Sequence, residues 1–207
     1  MNEMRTIGGL AVRRLVGDDL KRHIAALAEL RVAVFRDFPY LYDGHVDQES
    51  RHLRTYLDSR DSVLVAAFDG DRIVGASTGL PLQDETANII APFIRFGYAV
   101  ESVFYFGESV LLRPYRGRGV GVAFFEEREG WARSLGRFDY TSFCGVIRPD
   151  AHPRRPADHV PLDAFWRRRG YESVPGMEAT FRWRDLDEAE QSEKRMQFWL
   201  KRLNGGA

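Results

Sequence analysis

The stretch LLRPYRGRGVGVAFFEEREGWAR, Leu111 to Arg133, decides the fold because it joins an apolar strand to a helix through three alternating glycines. Without Cβ atoms, these glycines allow positive φ angles and a close approach of a ligand to the backbone. The helix that follows directs its free N–H groups and the positive end of its dipole into the turn. The turn therefore predicts a binding site for an anion such as pyrophosphate, with Arg116 and Arg118 adding positive charge.

The residues of this turn exclude two nucleotide-binding motifs. A GxxxxGK[ST] phosphate loop needs lysine followed by serine or threonine, and neither follows Gly121. A GxGxxG fingerprint counted from Gly117 would place its last glycine at Val122. The remaining pattern, Arg116-x-x-Gly119-x-Gly121, resembles the [Q/R]xxGx[G/A] signature of GCN5-related N-acetyltransferases (GNATs). The alternative interpretation of this hexapeptide alone is a glycine-rich strand end with solvated arginines.

Two further segments strengthen the resemblance. AFWRRRGYE, Ala164 to Glu172, is similar to the second signature of the family, an aromatic pair followed by glycine and another aromatic residue. SVLVAAFDGDRIVGAST, Ser62 to Thr78, resembles the second and third strands of the family. The resemblance covers residues 10–183 and implies an α/β GNAT fold. Its mixed, mostly antiparallel central sheet is splayed between strands 4 and 5 and flanked by helices.

Local patterns predict most of the elements. We expect strands at 10–15 and 138–147, a helix that begins at Asp18 or Asp19 as N-cap, and a weaker helix at about 46–57. Residues 88–96 are ambiguous between loop and short helix, and 171–183 predict a strand, a turn and a strand. Asp69-Gly70 predicts a tight hairpin turn, and Gly107 predicts a bulge in a long strand.

The C-terminal segment is expected to be separate from the acetyltransferase domain, which we place at residues 10–184. In the tail, residues 185–207, an apolar stripe recurs at helical spacing and predicts an amphipathic helix. The stripe consists of Met196, Trp199, Leu200 and Leu203. Such a helix would cover the domain or bind the partner in a homodimer.

The resemblance assigns binding roles to residues around the glycine turn. It implies that backbone amides of the turn and first helical turn bind the pyrophosphate of acetyl-coenzyme A (acetyl-CoA). It also implies that the preceding strand end pairs with the pantetheine arm, as in β-augmentation. The implied amides belong to Arg116, Gly117, Arg118, Gly119, Val120 and Gly121, and the strand end to Val110, Leu111 and Leu112. Phe165 and Trp166 are expected to line the coenzyme or the core.

The implied reaction is attack of a neutral amine on a thioester, which requires a base, an oxyanion donor and a route for thiolate departure. Glu108 is the first candidate for the base, and the alternative is a carboxylate paired with a nearby arginine; Glu101 is the second candidate. A backbone N–H near Leu111 is the expected oxyanion donor. Where family members often carry a tyrosine acid, this chain has Trp166, whose indole does not titrate as a phenol does.

Without that tyrosine, thiolate departure is left to water, Ser109, Tyr171 or no protein acid. Tyr40 and Tyr42 follow the first helix, a region that shapes the acceptor pocket in the family, so we predict that they contact the acceptor. The proline-rich loop at 148–161 either covers that site, reaches the 3′-phosphate of the coenzyme or is simply solvated. Cys144 is interpreted as a buried strand cysteine rather than a nucleophile.

Composition limits the remaining possibilities. Thirty basic and thirty acidic side chains leave no net charge, which disfavours a nucleic-acid partner. The single cysteine excludes an internal disulfide and a cysteine-rich zinc site, and no spacing predicts another metal centre. We expect a soluble cytoplasmic protein, because the first residues lack the apolar core of a signal peptide and no run could span a membrane.

Two functions remain open at this stage. The first is an N-acetyltransferase that uses acetyl-CoA and a small-molecule amine, without a metal. The second is a non-catalytic acyl-CoA-binding sensor or interaction module with the same fold.

Overall fold

The computed structural model describes residues 4–203. Its strands are β1 Arg5–Ile7, β2 Leu10–Leu15, β3 Val63–Asp69, β4 Arg72–Pro81, β5 Val103–Tyr105, β6 Ser109–Leu111, β7 Tyr140–Val146, β8 Glu172–Trp183 and β9 Ser192–Arg202. Its α-helices are α1 Asp18–Phe35, α2 Val46–His52, α3 Arg54–Asp58, α4 Ala87–Arg95, α5 Val120–Ser134 and α6 Asp163–Arg167.

Within the described residues, nine strands form one sheet in the order β1-β2-β3-β4-β5-β7-β9-β8, and β6 pairs with β4 beyond β5. All pairs are antiparallel except β5 with β7. Helices α1, α3 and α4 contribute to the apolar cluster on one face. Helices α5 and α6 pack on the other face. This arrangement confirms the α/β fold with a mostly antiparallel sheet between helices.

The sheet opens where the sequence resemblance implied a splay. β5 runs parallel to β7 from Val103 to Tyr105, and the last bond between the two is Phe106 N–H to the Ser142 carbonyl, at 2.7 Å. Beyond that bond the chain continues as β6, which pairs with β4 alone. The two strands therefore diverge after Phe106 and leave one edge of β6 facing the gap.

The break at Gly107 is a β-bulge, as predicted. Tyr105 lies opposite Leu80 and Ser109 lies opposite Ser77, so the chain through Gly107 has one residue more than β4 between these pairs. Thr78 bonds to both residues of the bulge: it accepts from the Gly107 N–H at 3.2 Å and donates to the Glu108 carbonyl at 3.1 Å. The extra residue turns Glu108 to the opposite face from that of an unbulged strand.

The predicted helical tail is wrong, because residues 192–202 form β9. This strand lies between β7 and β8, so both of its edges are paired, and an apolar cluster covers each of its faces. Phe198 and Trp199, adjacent in sequence, are both buried, with 0% and 3% of their surfaces exposed. A helix could bury only one of the two against the sheet, whereas a central strand buries both. Residues 204–207 of the predicted tail lie outside the described residues.

Smaller corrections concern the ends of elements. Gly17, rather than Asp18 or Asp19, occupies the N-cap of α1, and no side chain caps it. Because Asp69 pairs with Arg72, the β3–β4 turn consists of residues 70 and 71 instead of 69 and 70. The helix expected at 46–57 is two short helices, residues 88–96 are mostly α4, and 172–183 form one strand with an irregularity after Ser173.

Candidate active site

The glycine turn presents a row of unpaired backbone donors. Gly117 and Gly119 have φ angles of 78° and 84°, and Gly119 is the N-cap of α5 with no capping side chain. The five N–H groups of residues 117–121 donate no hydrogen bond to any residue from 4 to 203. Consecutive free N–H groups at a helix start form a concave site for an anion.

The two arginines of the turn are bonded to the protein. Arg116 donates its N–H to the Arg113 carbonyl at 3.2 Å and its Nε to the Leu111 carbonyl at 3.1 Å. Its guanidinium also pairs with Asp37 at 3.2 Å. Arg118 donates to the Pro114 carbonyl at 3.0 Å. The Arg116 amide therefore does not belong to the row of free donors, which corrects the prediction for that residue.

The backbone of β6 divides its bonds between the two sides of the strand. Leu112 N–H donates to the Val74 carbonyl at 3.0 Å, and Val110 pairs with Ala76. Because bonding directions alternate along an antiparallel pair, Leu111 and Ser109 direct their backbone groups away from β4 and toward the gap. Among the three predicted contacts of the pantetheine arm, only Leu111 faces the splayed edge; Val110 and Leu112 bond to β4.

The aromatic pair of α6 lies beside both sides of the gap. A Cβ on Gly121, in the first turn of α5, would lie 3.3 Å from the Phe165 ring. Trp166 packs on β7. Its ring centroid is 5.0 Å from that of Phe143, and a Cβ on Gly145 would lie 2.9 Å from the nearest atom of the Trp166 ring. Both side chains are half-buried and pack against the apolar cluster on the α5 face of the sheet.

On the other face, the bulge directs Glu108 into a buried polar network. Arg31 of α1 donates its Nε to Glu49 Oε2, and its Nη1 forms an ion pair with Glu108 Oε2, both at 2.5 Å. Tyr42 donates to Glu49 Oε1 at 2.7 Å, and the Tyr56 hydroxyl lies 3.5 Å from Glu108 Oε2. Glu108 Oε1 is buried and has no hydrogen-bond partner. The network connects the predicted base to Tyr42, a predicted acceptor contact.

Sequence reasoning did not identify Arg31, although it had anticipated an arginine beside Glu108. Arg31 lies far from Glu108 in the sequence. It stands in a helix that mixes charged and apolar residues, where an arginine usually faces solvent. In the structure it is 8% exposed. Burial lowers the pKa of Arg31, but the attraction of Glu108 and Glu49 outweighs burial and raises it.

The tyrosines around Glu108 remain neutral hydrogen-bonding groups. Burial, and then the charge of Glu108, raise the pKa of Tyr56 well above its ordinary value. Burial is also the main cause of the raised pKa of Tyr40 and of Tyr42, where the Glu49 hydrogen bond adds to it. The Tyr40 ring packs against Phe35 at a centroid distance of 4.5 Å. Tyr42 also lines an open cavity of about 360 Å³ at the surface.

The hydroxyls considered for thiolate departure are bonded elsewhere. Ser109 accepts from Arg128 of α5 at 2.9 Å, on the face of the sheet opposite the Arg31–Glu108 pair. Tyr171 is fully buried and donates to Glu129 at 3.0 Å. The Tyr171 proton is thus committed to Glu129, which argues against Tyr171 as the acid, whereas Ser109 only accepts a hydrogen bond and keeps its own proton. Glu101, the second candidate base, is exposed in the 3₁₀ turn before β5.

Cys144 lies on β7 and is buried, as predicted. Its Sγ is 3.1 Å from the Tyr105 hydroxyl. Burial raises the pKa of Cys144 to about 12, so the thiol stays protonated at neutral pH. A protonated thiol is a poor nucleophile, which disfavours an acyl-cysteine intermediate.

The loop at 148–161 packs against the segment that carries the two predicted acceptor contacts. Arg148 donates to the carbonyls of Pro39 and Tyr40, both at 2.7 Å, and pairs with Asp185 at 2.6 Å. The His159 ring contacts Phe38 edge-on, with centroids 4.7 Å apart. The loop is thus anchored at its start and lies over the segment after α1.

Two kinds of feature are absent from residues 4–203. No group of three or more His, Cys, Asp or Glu side chains is placed to hold a metal ion. No helix in that range has the length and apolar character required to cross a membrane.

Comparison with known proteins places this geometry in a structural class. An acetyltransferase of the GNAT family from Streptococcus pneumoniae matches with a TM-score of 0.55 and 13% identity, over 93% of this chain and 98% of that chain. An aminoglycoside 6′-N-acetyltransferase complexed with coenzyme A matches with a TM-score of 0.54 and 14% identity, over 88% and 91% of the two chains. Protein yncA from Salmonella typhimurium, solved with acetyl-CoA, matches with a TM-score of 0.57 and 10% identity, over 95% of this chain and 96% of that chain.

The chain therefore has the fold of GNAT acetyltransferases, which confirms the fold that the sequence resemblance implied. No protein-family model and no curated protein matches the sequence.

Proposed function

We propose that the protein transfers an acetyl or other short acyl group from acyl-CoA to a primary amine, by direct attack within a ternary complex. The observation that carries the proposal is the row of five unpaired N–H groups at residues 117–121, beside the splayed edge of β6, the strand that directly follows Glu108. Acetyl-CoA matches this arrangement because it combines a pyrophosphate with an amide-rich arm and supplies the acyl group as an activated thioester.

The residues of the glycine turn, 117–121, form a cradle that fits the pyrophosphate. A Cβ at Gly117 would meet no atom within 4 Å, so the turn is open on that side. Gly119 adds the start of α5, and its positive φ directs neighbouring N–H groups to one side. The guanidinium groups of Arg116 and Arg118 flank the turn. The outward backbone groups of Ser109 would pair with the arm, together with the second lone pair of the Leu111 carbonyl, which already accepts from Arg116 Nε.

Glu108 is the proposed general base. Its free Oε1 is placed to accept a proton from the incoming ammonium, directly or through one water, while Oε2 is held by Arg31. The Leu111 N–H is the proposed donor to the oxyanion. Because Trp166 replaces the usual tyrosine, the thiolate departs with a proton from Ser109 or water, or without one; a thiolate is a fair leaving group near neutral pH.

The proposed acceptor is a small-molecule amine. Tyr40 and Tyr42 stand at the acceptor side with the loop at 148–161 over them, and Tyr42 joins the network of Glu108. We also propose a cytoplasmic location and a metal-independent reaction, without a nucleic-acid or membrane partner. The formal net charge of zero supports the absence of a nucleic-acid partner. A homodimer remains part of the proposal.

A second candidate function is a non-catalytic acyl-CoA sensor or interaction module. It is favoured by the ion pair that holds Glu108 against Arg31 and by Trp166 at the position of the usual acid. It predicts coenzyme binding without turnover.

The test is a screen for free thiol release from acetyl-CoA with a panel of small amines, with wild type beside E108Q. We expect turnover with at least one amine and a fall in kcat of about 10²–10⁴-fold in E108Q, the range typical of a lost general base. Affinity for acetyl-CoA should be unchanged. Tight coenzyme binding with no thiol release for any amine would establish the sensor instead.

A further inference from the structure

Arg128, at the middle of α5, is the largest fully buried side chain of the described residues, with 1% of its surface exposed. Its Nη1 donates to the carbonyls of Thr78 and Glu108, both at 3.2 Å, and its Nη2 donates to Ser109 Oγ at 2.9 Å. These three acceptors surround the β-bulge. The guanidinium therefore contacts both strands at the place where Glu108 is turned toward Arg31.

The charge of Arg128 has no carboxylate partner between residues 4 and 203. Its guanidinium carbon lies 4.1 Å from the centroid of Phe106 and 5.0 Å from that of Phe125. Burial lowers the pKa of Arg128 to about 10, so the group is still a cation at neutral pH. An unpaired buried cation is costly to a protein, which calls for a specific use of this side chain.

The two carbonyls do not need Arg128 as a hydrogen-bond donor, because each already accepts a backbone hydrogen bond. The Thr78 carbonyl already accepts from the Gly107 N–H at 3.2 Å, and the Glu108 carbonyl accepts from the Thr78 N–H at 3.1 Å. Arg128 adds a second bond to each. A planar group with several fixed donors is suited to hold such acceptors in one relative geometry.

We propose that Arg128 is a positioning residue for Glu108, a role that rests on the proposed acyl transfer. Arg31 holds the carboxylate of Glu108 from the α1 face, and Arg128 holds the main chain of the same residue from the α5 face. Arg128 thereby fixes the bulge and the direction of the carboxylate. Since α5 also begins at the glycine turn, the same helix positions both the coenzyme cradle and the proposed base, Glu108.

The test compares R128M and R128K with R133M, in acyl-transfer assays on the full chain. R133M removes a guanidinium from the same helix, where Arg133 pairs with Glu129 at 3.0 Å and is half-exposed. We expect R128M to lower kcat at least tenfold while KM for acetyl-CoA changes less than threefold. R128K, which keeps a buried cation near the same carbonyls, should recover part of kcat, and R133M should resemble wild type. If R128M does not fold, R128K relative to R133M carries the test.

A kcat of R128M equal to that of R133M would overturn the proposal, and so would an effect confined to KM. Crystal structures of wild type and R128M provide a readout that needs no turnover. We expect R128M to lose the two-residue bulge opposite Thr78 or the Glu108–Arg31 ion pair. If both are retained in R128M, Arg128 does not position Glu108, whether or not the protein transfers acyl groups. If wild type lacks turnover but R128M loses the ion pair, only the proposed function fails.

Discussion

At the scale of single residues, the site depends on Gly107. A Cβ at this position would lie 1.6 Å from the Tyr56 hydroxyl oxygen and 2.8 Å from Thr78 Oγ1. The absence of a side chain lets Tyr56 approach Glu108, and the extra residue of the bulge turns Glu108 toward Arg31. The sequence indicated a bulge at Gly107, but nothing local indicated that Tyr56 would fill the space above it.

The substitution G107A should destabilise the fold by about 2 kcal/mol or more, since Tyr56 and the bulge must both shift to admit the methyl group. The free energy of unfolding from urea titration measures the effect. G130A is the matched control, because Gly130 lies inside α5 with open space around its Cβ position. Alanine there should stabilise by up to about 1 kcal/mol through helix propensity. Equal effects of the two substitutions would contradict the packing described for Gly107.

Arg31 and Arg128 show why the site residues were only partly predictable. Each belongs to a helix whose sequence mixes charged and apolar residues, so a solvent-facing side chain is the ordinary interpretation. Their partners belong to strands far along the chain: Glu108 for Arg31, and Thr78, Glu108 and Ser109 for Arg128. Glu108 itself was predicted from its place on the strand and from the family resemblance.

At the scale of elements, local patterns predicted the strands that carry continuous apolar runs, and β2 appears with the predicted limits. The prediction of a helical tail failed because the apolar residues fit two periods. Met196, Trp199, Leu200 and Leu203 fit helical spacing, and Met196, Phe198 and Leu200 fit strand alternation equally well. The pairing of β9 with β7 and β8 decided between the two periods. That pairing joins distant segments, so a local window does not contain it.

The turn between β8 and β9 is held by ion pairs that respond to acid. Lys194 contacts Glu188 at 2.8 Å and Asp185 at 3.4 Å. Burial would raise the pKa of Glu188, but hydrogen bonds from Lys194, Ser192 and the Asp185 N–H lower it to about 2.

A depressed pKa stabilises the folded state above the pKa of the unfolded chain, near 4.5 for glutamate. This contribution should disappear as the pH falls from about 4.5 to about 2. We expect E188Q to be less stable than wild type at pH 7 and to differ less from it at pH 2.5, as measured by thermal unfolding. E193Q is the control, because Glu193 is exposed and lies 3.6 Å from Arg182. A difference between E188Q and wild type that grows toward low pH would contradict the assignment.

At the scale of the whole molecule, the sheet joins the two halves of the candidate site. The face covered by α1 and α3 contributes Arg31, Tyr56 and the carboxylate of Glu108. The face covered by α5 contributes Arg128 and the glycine turn. The gap between β6 and β7 connects the two faces, and the loop at 148–161 packs over the segment after α1. A sequence motif could indicate the cradle, because its residues are consecutive. The proposed acceptor side is assembled from distant segments and has no comparable signature.

The central claim is that the glycine turn binds the pyrophosphate of acetyl-CoA, and calorimetric titration of acetyl-CoA into wild type, G117D and G97D tests it most directly. Gly117 and Gly97 have φ angles of 78° and 79°, and a Cβ at either would meet no atom within 4 Å. Aspartate tolerates this conformation comparatively well, so the two substitutions impose a similar backbone cost. Only G117D places a carboxylate in the cradle. We predict saturable binding to wild type and G97D with similar affinity, and at least tenfold weaker binding to G117D. The absence of binding to wild type, or equal affinities of G117D and G97D, would contradict the claim.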